Sequence, residues 1–142
     1  MPEHSTRIVL GFDVGTAWIG VAVGQTITAQ ASPLNAIKSH QQKPDWVAIA
    51  SLINIWQPEA LIVGLPVRLD GSADEMTEIC KKFSRQLQGR FHIATRLIDE
   101  RLTTREAYNI AIESGGYKSK AEIDSISAVL ITESWLRCNK QL

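Results

Sequence analysis

Ala60-Leu61-Ile62-Val63-Gly64-Leu65 is an apolar run without alternation that stops at Pro66, and it constrains the chain more than any other segment. A strand with one face in water alternates polar and apolar residues. An unbroken run describes a strand covered on both faces, the condition of a parallel strand inside an α/β sheet. Covering both faces requires helices on either side of the sheet, and the rest of the chain supplies the patterns for them.

Ahead of that strand, Ile8–Phe12 and Trp18–Val23 are two short apolar runs separated by Asp13-Val14-Gly15-Thr16 and read as a β-hairpin. Ile27–Ile37 continues as a third strand, and polar Lys38–Lys43 as a loop. Pro44-Asp45 is expected to open a helix with Trp46, Ile49, Ala50, Ile53 and Trp56 on one face, ended by Pro58. After the apolar run, Asp70-Gly71 marks a loop and Ser72-Ala73-Asp74-Glu75 a capping box. Met76, Ile79, Cys80, Phe83 and Leu87 then form the stripe of a second helix. Phe91–Ile98 reads as a strand running into Asp99-Glu100-Arg101. Thr103–Glu106 and Ser119–Glu122 are further capping boxes; the first opens a helix closing at Gly115-Gly116, the second a last helix with Ile123, Ile126, Leu130 and Ile131 inward. The order βββαβαβαα predicts a mixed sheet with helices on both faces, in one domain spanning residues 1–142.

Several function classes are excluded by what the chain lacks. No apolar run approaches the roughly 18 residues that cross a bilayer, and Met1–Arg7 has no signal-peptide core, so the expected setting is the cytoplasm without membrane association. Cys80 and Cys138 lie far apart with no CxxC, which argues against a zinc site or a disulfide framework; Cys80 reads as core and Cys138 as a tail thiol. His4, His40 and His92 are scattered. There is no Gly-x-x-x-x-Gly-Lys-Ser/Thr loop. Asp13-Val14-Gly15-Thr16 is similar to the first phosphate loop of the actin, sugar-kinase and Hsp70 ATPases, but no second such loop follows. Fifteen Lys plus Arg balance fifteen Asp plus Glu, so no global basic field attracts nucleic acid. Local patches remain: Lys81, Lys82, Arg85 and Arg90; Arg96, Arg101 and Arg105; Lys118 and Lys120. Each, taken alone, is accounted for as solvated surface.

The acids are less easily dismissed. Asp13 ends an apolar strand, Asp99 and Glu100 end another, and Asp124 lies beside the buried stripe of the last helix. A carboxylate taken out of water costs several kcal/mol unless partnered, and a divalent cation is one such partner. Singly, each acid has a plainer account: Asp13 as a turn former, Asp99 paired with Arg101, Asp124 answering the helix dipole. Their conjunction favours a shared centre.

Gly11-Phe12-Asp13-Val14-Gly15-Thr16 with Ile19–Val23 resembles the opening signature of the YqgF family, also called RuvX, of RNase H-like proteins. Ile62–Pro66 with Asp70-Gly71-Ser72, Asp99–Thr104, and Asp124-Ser125 with Ala128-Val129 resemble three further family blocks in the same order. The resemblance implies an RNase H-like α/β fold with a five-stranded mixed sheet, three antiparallel strands followed by two parallel ones. It implies a metal-dependent nuclease in which Asp13, Glu100 and Asp124 hold Mg²⁺ or Mn²⁺, with Asp99 and Thr16 as supporting neighbours. Strand alternation places Asp99 and Glu100 on opposite faces, and Glu100 is the preferred ligand. Arg68, Arg101 and Arg105 are the expected phosphate contacts.

Family members are discussed as maturation nucleases for the 5′ end of pre-16S rRNA and as candidate resolvases of Holliday junctions. The expected partner is therefore structured precursor rRNA, with branched DNA as the alternative, bound by a monomer or weak homodimer. A non-catalytic ribosome-assembly module is a third reading. This chain departs from the family in having Ala17-Trp18 where basic residues are common and Arg68 where Asn is common. These changes bear on substrate affinity and touch no acid.

Overall fold

The fold comes from a computed structural model that describes residues 7–41, 43–66, 74–99, 113 and 125–138. A single sheet organises them. Its strands are β1 (Ile8–Val14), β2 (Trp18–Gln25), β3 (Gln30–His40), β4 (Lys43–Pro44), β5 (Ala60–Leu65) and β6 (Ala94–Asp99), in the spatial order β4-β3-β2-β1-β5-β6. The described helices are α1 (Trp46–Trp56), α2 (Glu75–Phe91) and α3 (Ile126–Cys138).

The expected meander is present: β1 pairs antiparallel with β2, and β2 with β3. β5 pairs parallel to β1 on one side and to β6 on the other, which explains its unbroken apolar sequence. Leu61 and Val63 face the core shared with α1 and α2, while Ala60 and Ile62 face α3. Helices thus cover both faces. The sheet has six strands rather than five because Lys43-Pro44 bridges back to Ser39-His40.

That bridge also moves the start of the first helix. Pro44 lies in β4, and Asp45 caps α1 by accepting the Ala48 N–H at 3.0 Å. Ala50, expected on the inner face, is exposed; Ile49 is the fully buried residue of α1. The capping box of α2 is formed by Asp74 and Thr77, not by Ser72 and Glu75. The Asp74 carboxylate accepts the Thr77 N–H, and Thr77 Oγ1 accepts the Asp74 N–H while donating to the Pro66 carbonyl. This contact ties the start of α2 to the end of β5. Phe91 ends α2 instead of opening a strand, because its ring packs beside Trp46 and the chain turns only at His92, whose φ is 56°. The third strand begins at Gln30, not Ile27, since Thr26–Ala29 form the turn that reverses the chain after β2. The expected 103–115 helix and the box at 119–122 lie outside the described residues, save Glu113.

The α3 face of the sheet is lined by small residues. Gly11, Ala22 and Gly24 sit beneath Ala128, Thr132 and Leu136. A Cβ on Gly11 would fall 1.7 Å from Thr132 Oγ1, so α3 approaches β1 more closely than any side chain there allows.

Candidate active site

β1, β5 and β6 are parallel, so their carboxyl ends lie along one edge of the sheet. β1 is also where the chain order switches direction, with β2 on one flank and β5 on the other. Ligands of open α/β sheets bind at such an edge and switch point. Asp13 is there, next to last in β1, half-buried and paired across the ladder with Gly20.

The face that Asp13 occupies follows from alternation. Leu10 and Phe12 pack with α1 and α2, whereas Val9 and Gly11 lie under α3. Asp13 shares the parity of Val9 and Gly11 and therefore projects on the α3 side. Asp99 does not join it. Ile98 packs with Ile62, Ile131 and Trp135 on the α3 face, so Asp99, one residue on, belongs to the opposite face. It also lies two strands from β1, about 10 Å by ordinary strand spacing. Both carboxylates take part in interactions within the structure.

Ser125 is the first described residue leading into α3, and it is fully buried. The β2–β3 ladder shifts register between Ile19 and Val21, next to the Val21–Leu34 pair. Ser125 Oγ bridges that pair, accepting the Val21 N–H at 3.0 Å and donating to the Leu34 carbonyl at 2.6 Å. The amino end of α3 is thereby fastened to β2 one residue from Gly20, the ladder partner of Asp13.

Thr16 is exposed in the β1–β2 turn, where the Gly15 N–H donates to the Trp18 carbonyl at 2.8 Å. It lines a cavity on the α1/α2 side rather than joining Asp13. Glu100, Asp124, Arg68, Arg101 and Arg105 lie outside the described residues. Among the described residues no group of three His, Cys, Asp or Glu side chains could hold a metal ion.

The basic cluster on α2 divides. Lys81 pairs with Glu78 at 3.6 Å, Arg85 and Arg96 line a cleft at the opposite end of β6 from Asp99, and Lys82 and Arg90 turn toward the cavity beside Thr16. The four α2 cations, close together in sequence, do not form one patch. The spacing of Lys82, Gln86 and Arg90, four residues apart, is the signal that separates them. Ser125 was visible only as part of a motif, because the backbone pair it bridges lies about a hundred residues away. Cys80 is buried and Cys138 exposed, as expected, and His40 and His92 are exposed. No helix among the described residues is long and apolar enough to cross a membrane.

Comparison with known proteins agrees with this architecture. A family model described as RuvX, Holliday junction resolvase, matches residues 7–138. A protein of Shewanella denitrificans named as a candidate pre-16S rRNA nuclease is 50% identical over 131 residues, covering 91% of this chain and 93% of the relative. A Klebsiella pneumoniae protein of the same name is 52% identical over 128 residues, covering 89% and 93%. Among solved structures, Thermus thermophilus RuvC in complex with a Holliday junction superposes with a TM-score of 0.60 at 12% identity, over 93% of this chain and 96% of that one. The fowlpox virus Holliday junction resolvase gives 0.59 at 13% identity, over 92% and 99%. At such identities the likeness is one of fold.

Proposed function

The chain belongs to the RuvX family, and from that membership we propose that it is a metal-dependent nuclease that hydrolyses phosphodiester bonds in maturing the 5′ end of pre-16S rRNA. The observation that carries the reading is the position of Asp13 at the carboxyl end of β1, on the face where Ser125 fastens the start of α3 to β2. Asp124 immediately precedes Ser125 in sequence. Glu100 follows Asp99, and Asp99 is on the wrong face to meet Asp13, which supports Glu100 as the contributor from the β6 end. The proposed catalytic set is Asp13, Glu100 and Asp124.

Carboxylates alone are a hard-oxygen donor set, suited to Mg²⁺ or Mn²⁺ and poor for softer metals. Such an ion, when bound, supplies an activated water and charge stabilisation for the leaving oxygen. The part of this chain is to hold the carboxylates together at a rigid sheet edge and to orient the substrate phosphate. Arg68, Arg101 and Arg105 are the proposed phosphate contacts. The protein is proposed to act in the cytoplasm as a single domain, monomeric or weakly dimeric.

The family description favours a second reading, resolution of Holliday junctions. That reaction cuts two strands symmetrically and calls for a two-fold dimer. Labelled precursor rRNA and a labelled four-way junction, incubated side by side with Mg²⁺ or Mn²⁺, separate the two. Cleavage of the precursor, lost in Asp13→Asn, is the expected result. Paired cuts in the junction alone would favour the resolvase, and binding of RNA without any cleavage would favour a non-catalytic assembly module.

A further inference from the structure

A cavity of about 470 Å³ opens on the α1/α2 face beside the β1–β2 turn, within the size range of small-ligand sites. Lys82 and Arg90 reach it from one face of α2, and Lys43 reaches it from β4. The lining contains no carboxylate among the described residues, and none of the three cations is paired with one there. Three like charges facing one space repel one another, and an anionic ligand would relieve that repulsion.

Trp46 forms part of the cavity wall and is held in place from both neighbours. Arg90 lies 4.3 Å over the Trp46 ring, and Trp46 stacks on the buried Phe83 with centroids 5.6 Å apart and planes 19° from parallel, so a planar cation over an anchored indole faces the cavity. A cationic rim over an aromatic and aliphatic floor matches a nucleotide, whose phosphate is charged and whose base is a flat apolar plate. Bases in a duplex are stacked and paired, so a concave site of this kind admits only an unpaired one.

The cavity adjoins the candidate catalytic edge. Val14 lines it, and Asp13, the preceding residue, projects on the other face of the same strand end. A nucleic-acid strand crossing the end of β1 over Gly15 and Thr16 would meet both.

We propose that this cavity seats one unpaired nucleotide of the substrate RNA strand, with its phosphate on Lys43 and Lys82 and its base against the part-buried Trp46, Ile79 and the Arg90 guanidinium. The proposal rests on the nuclease reading and adds a substrate preference to it: RNA with an unpaired nucleotide next to the cleaved bond.

The test measures binding apart from cleavage. Full-length Asp13→Asn protein is titrated, in EDTA, with a fluorescent single-stranded oligoribonucleotide and with its fully paired duplex at several salt concentrations. Adding Lys43→Gln and Lys82→Gln is expected to weaken single-strand binding about tenfold and to flatten its log–log salt slope by about 0.7, one phosphate's worth, while duplex binding stays unchanged. Lys81→Gln, one residue along α2 and outside the cavity, removes the same charge and is expected to change little. Unchanged single-strand affinity in the double variant, or an equal loss per charge in Lys81→Gln, overturns the proposal. Cleavage by the parent protein is scored separately. A parent that binds through Lys43 and Lys82 but never cuts RNA supports the cavity and defeats the nuclease reading; one that cuts without that dependence does the reverse.

Discussion

Ser125 Oγ accepts the Val21 N–H at 3.0 Å across 104 residues of sequence, where the β2–β3 ladder shifts register. The same hydroxyl donates to the carbonyl of Leu34, the ladder partner of Val21, so one side chain satisfies a buried and a part-buried backbone group. Ser125→Ala is expected to leave them without that partner and to destabilise the fold by about 1–3 kcal/mol. Chemical denaturation measures this. Because Asp124 is the adjacent residue, cleavage should fall further than stability does, whereas Ser125→Thr should retain part of both.

Gly11 tests the seat of α3 on the sheet. A Cβ there would lie 1.7 Å from Thr132 Oγ1 and 3.0 Å from Thr132 Cβ, and neither can retreat far in a buried helix face. Gly11→Ala should cost about 3 kcal/mol, the upper range for overpacking a core. Adding Thr132→Ala removes the nearer clash and should recover part of the loss, so the two substitutions should be non-additive in denaturant titrations.

The two acids ending β6 should separate cleanly. Asp99 belongs to the face opposite Asp13, so Asp99→Asn is expected to lower cleavage by no more than about 10- to 100-fold, the usual effect of losing a supporting group. Glu100→Gln should exceed that loss, as should Asp13→Asn. Single-turnover cleavage at saturating Mg²⁺ distinguishes them, and equal effects at positions 99 and 100 would contradict the alternation argument.

Arg105 stands second after Thr103 in a capping-box sequence, where a cation opposes the helix dipole unless it meets an anion. Arg105→Ala is expected to leave thermal stability nearly unchanged while weakening RNA binding. The salt slope should fall by about 0.7–0.9, one phosphate's worth. An identical slope would assign Arg105 to the solvated surface.

Elements whose signals are local could be read directly from the order of residues. The unbroken run Ala60–Leu65, short and ended by Pro66, pointed to a strand covered on both faces, the hairpin around Gly15-Thr16 followed from its two apolar runs, and the stripe from Met76 to Leu87 was helical by period. Asp13 was legible as a site residue because an acid ending such a strand needs a partner. Other features depend on which groups the folded chain brings within reach of one another. Lys43-Pro44 became a strand because His40 and Ser39 offered it an edge, Asp74 rather than Ser72 became the cap because Thr77 could also reach Pro66, and Phe91 stayed helical against Trp46. The glycines under α3, the hydroxyl that bridges β2 and β3, and the cavity shared by Lys43 and Lys82 belong to the same class. The glycine contacts and the Ser125 bridge join residues about a hundred positions apart, and a linear pattern records period and propensity but not such proximity.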